Sequence, residues 1–253
     1  DGNLFDSGII ETSGNILFKN GDVPMFSLSK PYAYDSSKRK KELMYRISKD
    51  ISNTTVSILV ATSLLAEANY PLVIDPTIDI FRSAYGSCEE DNDCYSTIMI
   101  NSWVTEDERA SVKFPLSSLP GYQATTINET KLRLTVSSED MSNNCNLNDE
   151  TDVYWENNDD DVPPQSWSAL SVSGTQLDRK CLDGMTGQSI EWNVLGNGVN
   201  GFDQDYESGD DESSFIIKIR TEGLSPSRGV DFTTNAYLNV TYTIGHPPAL
   251  VGC

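Results

Sequence analysis

The sequence predicts an all-β protein, an antiparallel β-sandwich preceded by a smaller N-terminal β region. Three features of the chain lead there. Apolar and polar residues alternate over short runs, and the segments between them are rich in Gly, Asn, Asp, Ser and Pro. Only one short stretch has helical character.

Along the chain, "SGIIETSGNILF" supplies the first strands, able to pair within their own domain or with an open edge of a neighbour. "SSKRKK", Ser36 to Lys41, is the strongest basic run and tips a hairpin between "PYAY" and "ELMYRI". "TSLLAEA", Thr62 to Ala68, is the helical stretch, with Thr62 as its cap. In "NYPLVIDPTIDIFRS", Pro76 cannot donate to a sheet ladder and turns Asp75 away from helix. One strand therefore ends at Ile74 and the next begins near Ile78. "SVKFPL" turns Val112, Phe114 and Leu116 to one side, and "KLRLTV" does the same with Leu132, Leu134 and Val136. "SIEWNV" reads as a strand with Trp192 in the core, and "SFIIKIR" as another strand. "YLNVTYTI" alternates strictly, turning Leu238, Val240, Tyr242 and Ile244 one way.

Charge divides the chain at the Asp-Pro. Residues 1–75 hold 8 basic and 9 acidic side chains, a net charge of -1, while residues 76–253 hold 10 and 29, a net of -19. The expected organisation is an N-terminal β-rich region over 1–75, a sandwich of roughly eight strands over 76–245, and a Pro-rich tail over 246–253.

With a net charge of -20, the surface repels nucleic acid, which excludes that partner. The longest apolar stretch, Ser57 to Ala68, is interrupted by Thr62 and Ser63 and is too short to insert in a membrane. Asp1 with no initiator Met reads as the start of a processed product. Five cysteines at 88, 94, 145, 181 and 253 show no C-x-x-C spacing, and His246 alone adds too few ligands for zinc. Two bridges among five cysteines allow fifteen patterns, and five buried free thiols are the plainer alternative. The preferred pairs are Cys88–Cys94, closing "CEEDNDC", and Cys145–Cys181, tying two long loops. Sequons at Asn53, Asn128 and Asn239, beside this cysteine usage, favour an extracellular or cell-surface glycoprotein.

The stretches "IDIFRSAYG", "ERASVKFPLSSLP" and "TTINETKLRLTV" resemble the DNRLRE-type domain of secreted bacterial and archaeal proteins. "SKPYAYDSS" and "SLLAEANYPLVIDPT" resemble the β-rich segment that often precedes it. The likeness covers about Ser29 to Val136, with only the strand rhythm agreeing beyond, and the family's acronym motif is not in the chain. What the resemblance implies is a jelly-roll β-sandwich, similar to carbohydrate-binding modules, on cell surfaces and their appendages, with no catalytic set.

No G-x-S-x-G, P-loop or Rossmann fingerprint is present, and His246, in "GHPPALVGC", is the only histidine for a triad. The chain reads as a non-enzyme. Asp203, Asp205, Glu207, Asp210 and Asp211 in "GFDQDYESGDDESS" are candidate calcium ligands, because alternating carboxylates on a loop can converge on a hard ion. "CEEDNDC" and "ENNDDD" are similar candidates, and a solvated acidic surface is the plainer reading of each. Trp155 and Trp167 flank a loop and are candidate sugar platforms, although packing is the commoner role of such residues.

The expected function is a structural subunit that self-assembles into a filament, sheath or similar appendage. The alternatives are a carbohydrate-binding module of a larger secreted protein and a spacer domain of an adhesin. Like subunits this acidic repel unless opposite patches meet, so Lys38, Arg39, Lys40 and Lys41 are expected to approach an acidic loop of the next copy. The 203–212 loop is the first choice.

Overall fold

A computed structural model of the chain describes residues 8–49, 54–70, 72–75, 77–120, 125–141, 150–156, 162–172, 175–197 and 200–244. Strands make up 56% of it and helices 8%, an all-β, sandwich-like fold. Contacts divide the chain into two units, one of residues 1–79, 124–128 and 241–253, the other of 80–123 and 129–240. The division thus falls a few residues beyond the Asp75-Pro76 seam and adds two later segments to the N-terminal unit.

The first unit opens with β1 (Gly8–Thr12), β2 (Ile16–Asn20), β3 (Val23–Leu28), β4 (Tyr32–Tyr34), β5 (Lys40–Glu42), β6 (Met44–Lys49) and β7 (Thr54–Leu59). A short helix, α1 (Thr62–Glu67), and β8 (Val73–Asp75) follow. β6 pairs with β1 and β7 in one three-stranded sheet, and β4 pairs with β5 and β8 in another. β2 and β3 form a hairpin whose turn uses Gly21 at φ 60°, a conformation that costs glycine little. The expected hairpin between PYAY and ELMYRI is replaced by a shorter one: β4 pairs with Lys40–Glu42, which places Lys40 and Lys41 within a strand, while Met44–Lys49 pairs with β1 and β7 instead. Thr62 is the first helical residue, and the N-cap of α1 is Ala61, which has no side-chain acceptor to offer.

The core of this unit is small: Leu28, Ala33, Leu43, Tyr45, Ile78 and Tyr242 are buried. The Tyr45 hydroxyl donates to the Ser29 carbonyl at 2.8 Å, which satisfies the one polar group it carries inside.

After the seam come β9 (Thr77–Phe81), β10 (Ala84–Glu89), β11 (Cys94–Tyr95), β12 (Ile98–Ser102), β13 (Asp107–Pro115) and β14 (Thr125–Asp140). Then follow β15 (Glu150–Glu156), β16 (Gln176–Cys181), β17 (Ser189–Asn193), α2 (Phe202–Ser208), β18 (Glu212–Ile219), β19 (Arg228–Phe232) and β20 (Tyr237–Ile244). Among the described residues twelve strands therefore follow the seam, more than expected, because two-residue β11 and the evenly half-buried β16 leave no alternation to read.

In the second unit the order runs β16-β15-β18-β13-β12-β19-β14, with β10 also paired to β13 and β17 to β14. β18 lies between β15 and β13 and is buried from Ser213 to Ile219, which explains why its apolar residues Phe215, Ile216 and Ile217 are consecutive rather than alternating. Leu132, Leu134, Val136, Val112, Phe114, Val240 and Tyr242, the residues expected inside, are all buried. Trp192 is also buried, edge-on to Phe232 with ring centroids 6.0 Å apart. Burying each such side chain contributes about 1.5–3 kcal/mol, the main favourable term here.

Candidate functional site

The disulfide expected between Cys88 and Cys94 is present and closes the β10–β11 hairpin, where the two residues are register partners. Inside that loop the Asn92 amide donates to the Glu89 carbonyl at 2.9 Å, and Asn92 adopts φ 76°, a region Asn tolerates better than most side chains. The Asp91 carboxylate accepts the Asp93 amide at 3.1 Å. The Glu90 amide donates to the Asp107 carbonyl at 3.0 Å, fastening the loop to the start of β13. Across from it, the turn between β12 and β13 is closed by the Trp103 amide donating to the Glu106 carbonyl at 3.0 Å.

These two connections bring Glu89, Asp91 and Glu106 together, with one carboxylate oxygen of each within 4.8 Å of the others. Partial burial raises the Glu106 carboxyl above its ordinary value, and the Glu89 and Asp91 charges raise it further. The Tyr95 hydroxyl donates to Glu89 at 3.1 Å. That bond first, then burial and the surrounding acids, push its pKa up to about 12. Behind the cluster, Glu108 is buried and accepts from Ser87 Oγ and Asn101 Nδ2, both at 2.7 Å. Its burial and the Glu89 and Asp231 charges push the pKa up to about 7, against the opposing effect of those two hydrogen bonds.

Carboxylates gathered this way repel one another unless a proton or a hard cation intervenes. They could supply part of the oxygen shell that calcium takes, six to eight ligands in all. Among the described residues this is the group of acids with such spacing. Beside it stand Tyr95, Trp103 and Val104, which are the exposed large apolar residues of the second unit among those described.

The chain matches no family model and no curated protein. The resemblance to DNRLRE-type domains therefore rests on its motifs alone.

The five acids expected to bind calcium are not gathered. Phe202 to Ser208 is helical, not a loop: Phe202 and Tyr206, one turn apart, are both buried, and Gly209 ends the helix at φ 81°. Asp205 is buried and accepts from the Trp155 indole N–H and from Ser213 Oγ. The Asp210 carboxylate accepts from Ser208 Oγ at 2.6 Å. Asp203, Glu207 and Asp211 form no three-carboxylate group with these two. Trp155, expected as a sugar platform, is buried and faces Asp205 rather than solvent. Trp167 is half-buried, with the Arg109 guanidinium 4.2 Å over its ring. Arg109 also bridges Glu222 at 2.7 Å and donates to the Leu170 carbonyl at 2.8 Å, so this indole packs a loop down.

Within the basic hairpin, Arg39 is bridged to Asp35 and donates to the Glu67 carbonyl at 3.1 Å, while the Lys40 ammonium lies 3.4 Å from the Tyr32 ring centre. Two of the four cations expected at a subunit contact are thus engaged within their own chain. Lys38 and Lys41 remain exposed. Asn128 is exposed on β14 and donates to Thr243 Oγ1 at 2.8 Å, and Asn239 is half-buried on β20. Cys181 is in a disulfide, whose expected partner Cys145 lies outside the described residues, as do Asn53, His246 and Cys253.

The acidic loop of this cluster is legible in "CEEDNDC", but its third carboxylate is not. Glu106 is brought back by the β12–β13 turn, and nothing local in the sequence links it to Cys88.

Proposed function

We infer that this protein is a non-enzymatic, extracellular structural subunit that associates with copies of itself at the cell surface. The observation that supports this most is the placement of apolar surface. Of the twelve exposed large apolar side chains among the described residues, nine lie in the first unit, from Ile9 to Val73. These side chains offer apolar surface for association, and β1, β7, β5 and β8 are sheet edges whose backbone groups can pair with another chain. Negative-stain microscopy with light scattering on the purified chain tests it. Fibres, sheets or a concentration-dependent mass are expected, and a particle that stays monomeric at every concentration overturns the reading.

A second reading is favoured by a different observation. Exposed Tyr95 and Trp103 beside Glu89, Asp91 and Glu106 combine stacking faces with hydrogen-bond acceptors, as a polysaccharide-binding surface does. Glycan-array binding that is lost in Trp103→Ala, with the chain monomeric, would favour it over the first.

A further inference from the structure

The longest apolar run of the sequence ends on the protein surface. None of the residues of α1 is buried, Leu65 and Val73 are exposed, and Tyr70 is 64% exposed. Tyr70 is held in place, its hydroxyl donating to the Leu65 carbonyl at 2.8 Å. The basic hairpin is fastened to the same segment. The Ser36 amide donates to the Asn69 carbonyl at 2.8 Å, Asn69 Nδ2 donates to Ser37 Oγ at 2.9 Å, and Arg39 reaches the Glu67 carbonyl. Two stretches far apart in sequence, "SSKRKK" and "TSLLAEANY", thus make one face that is apolar and basic on a protein of net charge -20.

The second unit carries its counterpart. Its exposed apolar residues lie on the two connections that carry Glu89, Asp91 and Glu106: Tyr95 donates to Glu89, and Trp103 and Val104 share the turn that ends at Glu106, with Glu90 and Asp93 exposed in the disulfide loop. That face is apolar and acidic. Each has the composition the other lacks.

We propose that the Leu65–Tyr70 and Lys38–Lys41 face of one copy docks on the Trp103 and Cys88–Cys94 loop face of the next. This rests on the self-associating reading above and names its surfaces. The acidic partner is the disulfide loop and not the 203–212 segment, where Asp205 is buried. Apolar side chains supply the burial, and opposite charge sets the register and excludes like faces. Because the two faces differ, the contact is heterologous and need not close, which is how one chain builds an open filament.

Two charge-reversed proteins test it. One carries Lys38→Glu and Lys41→Glu, the other Glu90→Lys, Asp91→Lys and Asp93→Lys, all at exposed positions, with circular dichroism showing that each folds. Each alone presents two faces of like sign and should scatter as a monomer. An equimolar mixture pairs the two reversed faces with each other and the two unreversed faces with each other, so every contact joins opposite signs and alternating fibres should be recovered. A third protein, Leu65→Asp with Tyr70→Asp, should stay monomeric with its basic residues intact. If any of the three polymerises as the parent does, or if the mixture stays monomeric, the proposed contact is wrong while self-association stands. A parent that never assembles overturns both.

Discussion

The indole N–H of Trp155 donates to both carboxylate oxygens of Asp205, at 3.0 and 2.9 Å, inside the second unit. Ser213 Oγ donates to the same carboxylate, so the acid is held by the strands on which the fold depends, β15 and β18. Replacing Asp205 with Ala orphans two buried donors, each costing about 1–3 kcal/mol. Urea denaturation followed by tryptophan fluorescence should show the midpoint falling by that order. A midpoint unchanged in Asp205→Ala would show that the buried network contributes nothing.

Asp35 and Arg39 set a dependence on pH. The Arg39 guanidinium beside Asp35 holds that carboxyl below its ordinary value, helped by backbone donors from Arg39 and Asn69. A depressed folded pKa means stability that is present above the unfolded value, about 3.9, and lost as pH falls through the folded value. The β4–β5 hairpin should therefore loosen in acid, seen as faster amide exchange at Ser37 and Arg39, whose amides donate to Asp35. In Asp35→Asn the exchange should be fast at neutral pH and show no further acid step.

Calcium addresses the Glu89, Asp91 and Glu106 group. If those oxygens take the ion, millimolar calcium should raise the melting temperature, because a ligand that binds only the folded state stabilises it by mass action. Glu106→Gln should abolish that rise, whereas Glu207→Gln, on the exposed side of α2, should leave it intact. An equal rise in all three proteins would assign the effect to general screening.

Reducing the Cys88–Cys94 bridge removes a restraint on the unfolded loop and should lower stability by up to about 2–4 kcal/mol. The change should be larger for calcium binding than for the core, because Glu89 and Asp91 lie within the closed loop. Calorimetric titration of Cys88→Ala with Cys94→Ala checks this, and an undiminished calcium affinity would refute it.

Asn128 is the described sequon with an exposed asparagine, whose amide donates to Thr243 Oγ1 at 2.8 Å. Its exposure leaves the side chain accessible for a glycan. Intact mass of the protein from a glycosylating host should exceed that of the bare chain, and Asn128→Gln should remove part of the excess. A mass equal to the sequence would exclude the modification.

By itself the sequence determined the strand faces. Alternation is local, so Leu132, Leu134 and Val136 could be placed inside from their spacing alone. The Pro76 break was as readable, since a missing donor acts within a residue or two, and the strands end and begin at Asp75 and Thr77. What the tertiary structure decided depends on residues far apart in the chain. Asp205 read as a surface acid because its partner Trp155 lies fifty residues away, and carboxylate burial follows from that partner rather than from neighbouring acids. Glu106 joined Glu89 and Asp91 only through two hairpins folded side by side. The basic run and the apolar run became one surface because Asn69 bonds to Ser36 and Ser37. Local spacing fixes which way a side chain points, and only the folded chain fixes what it meets.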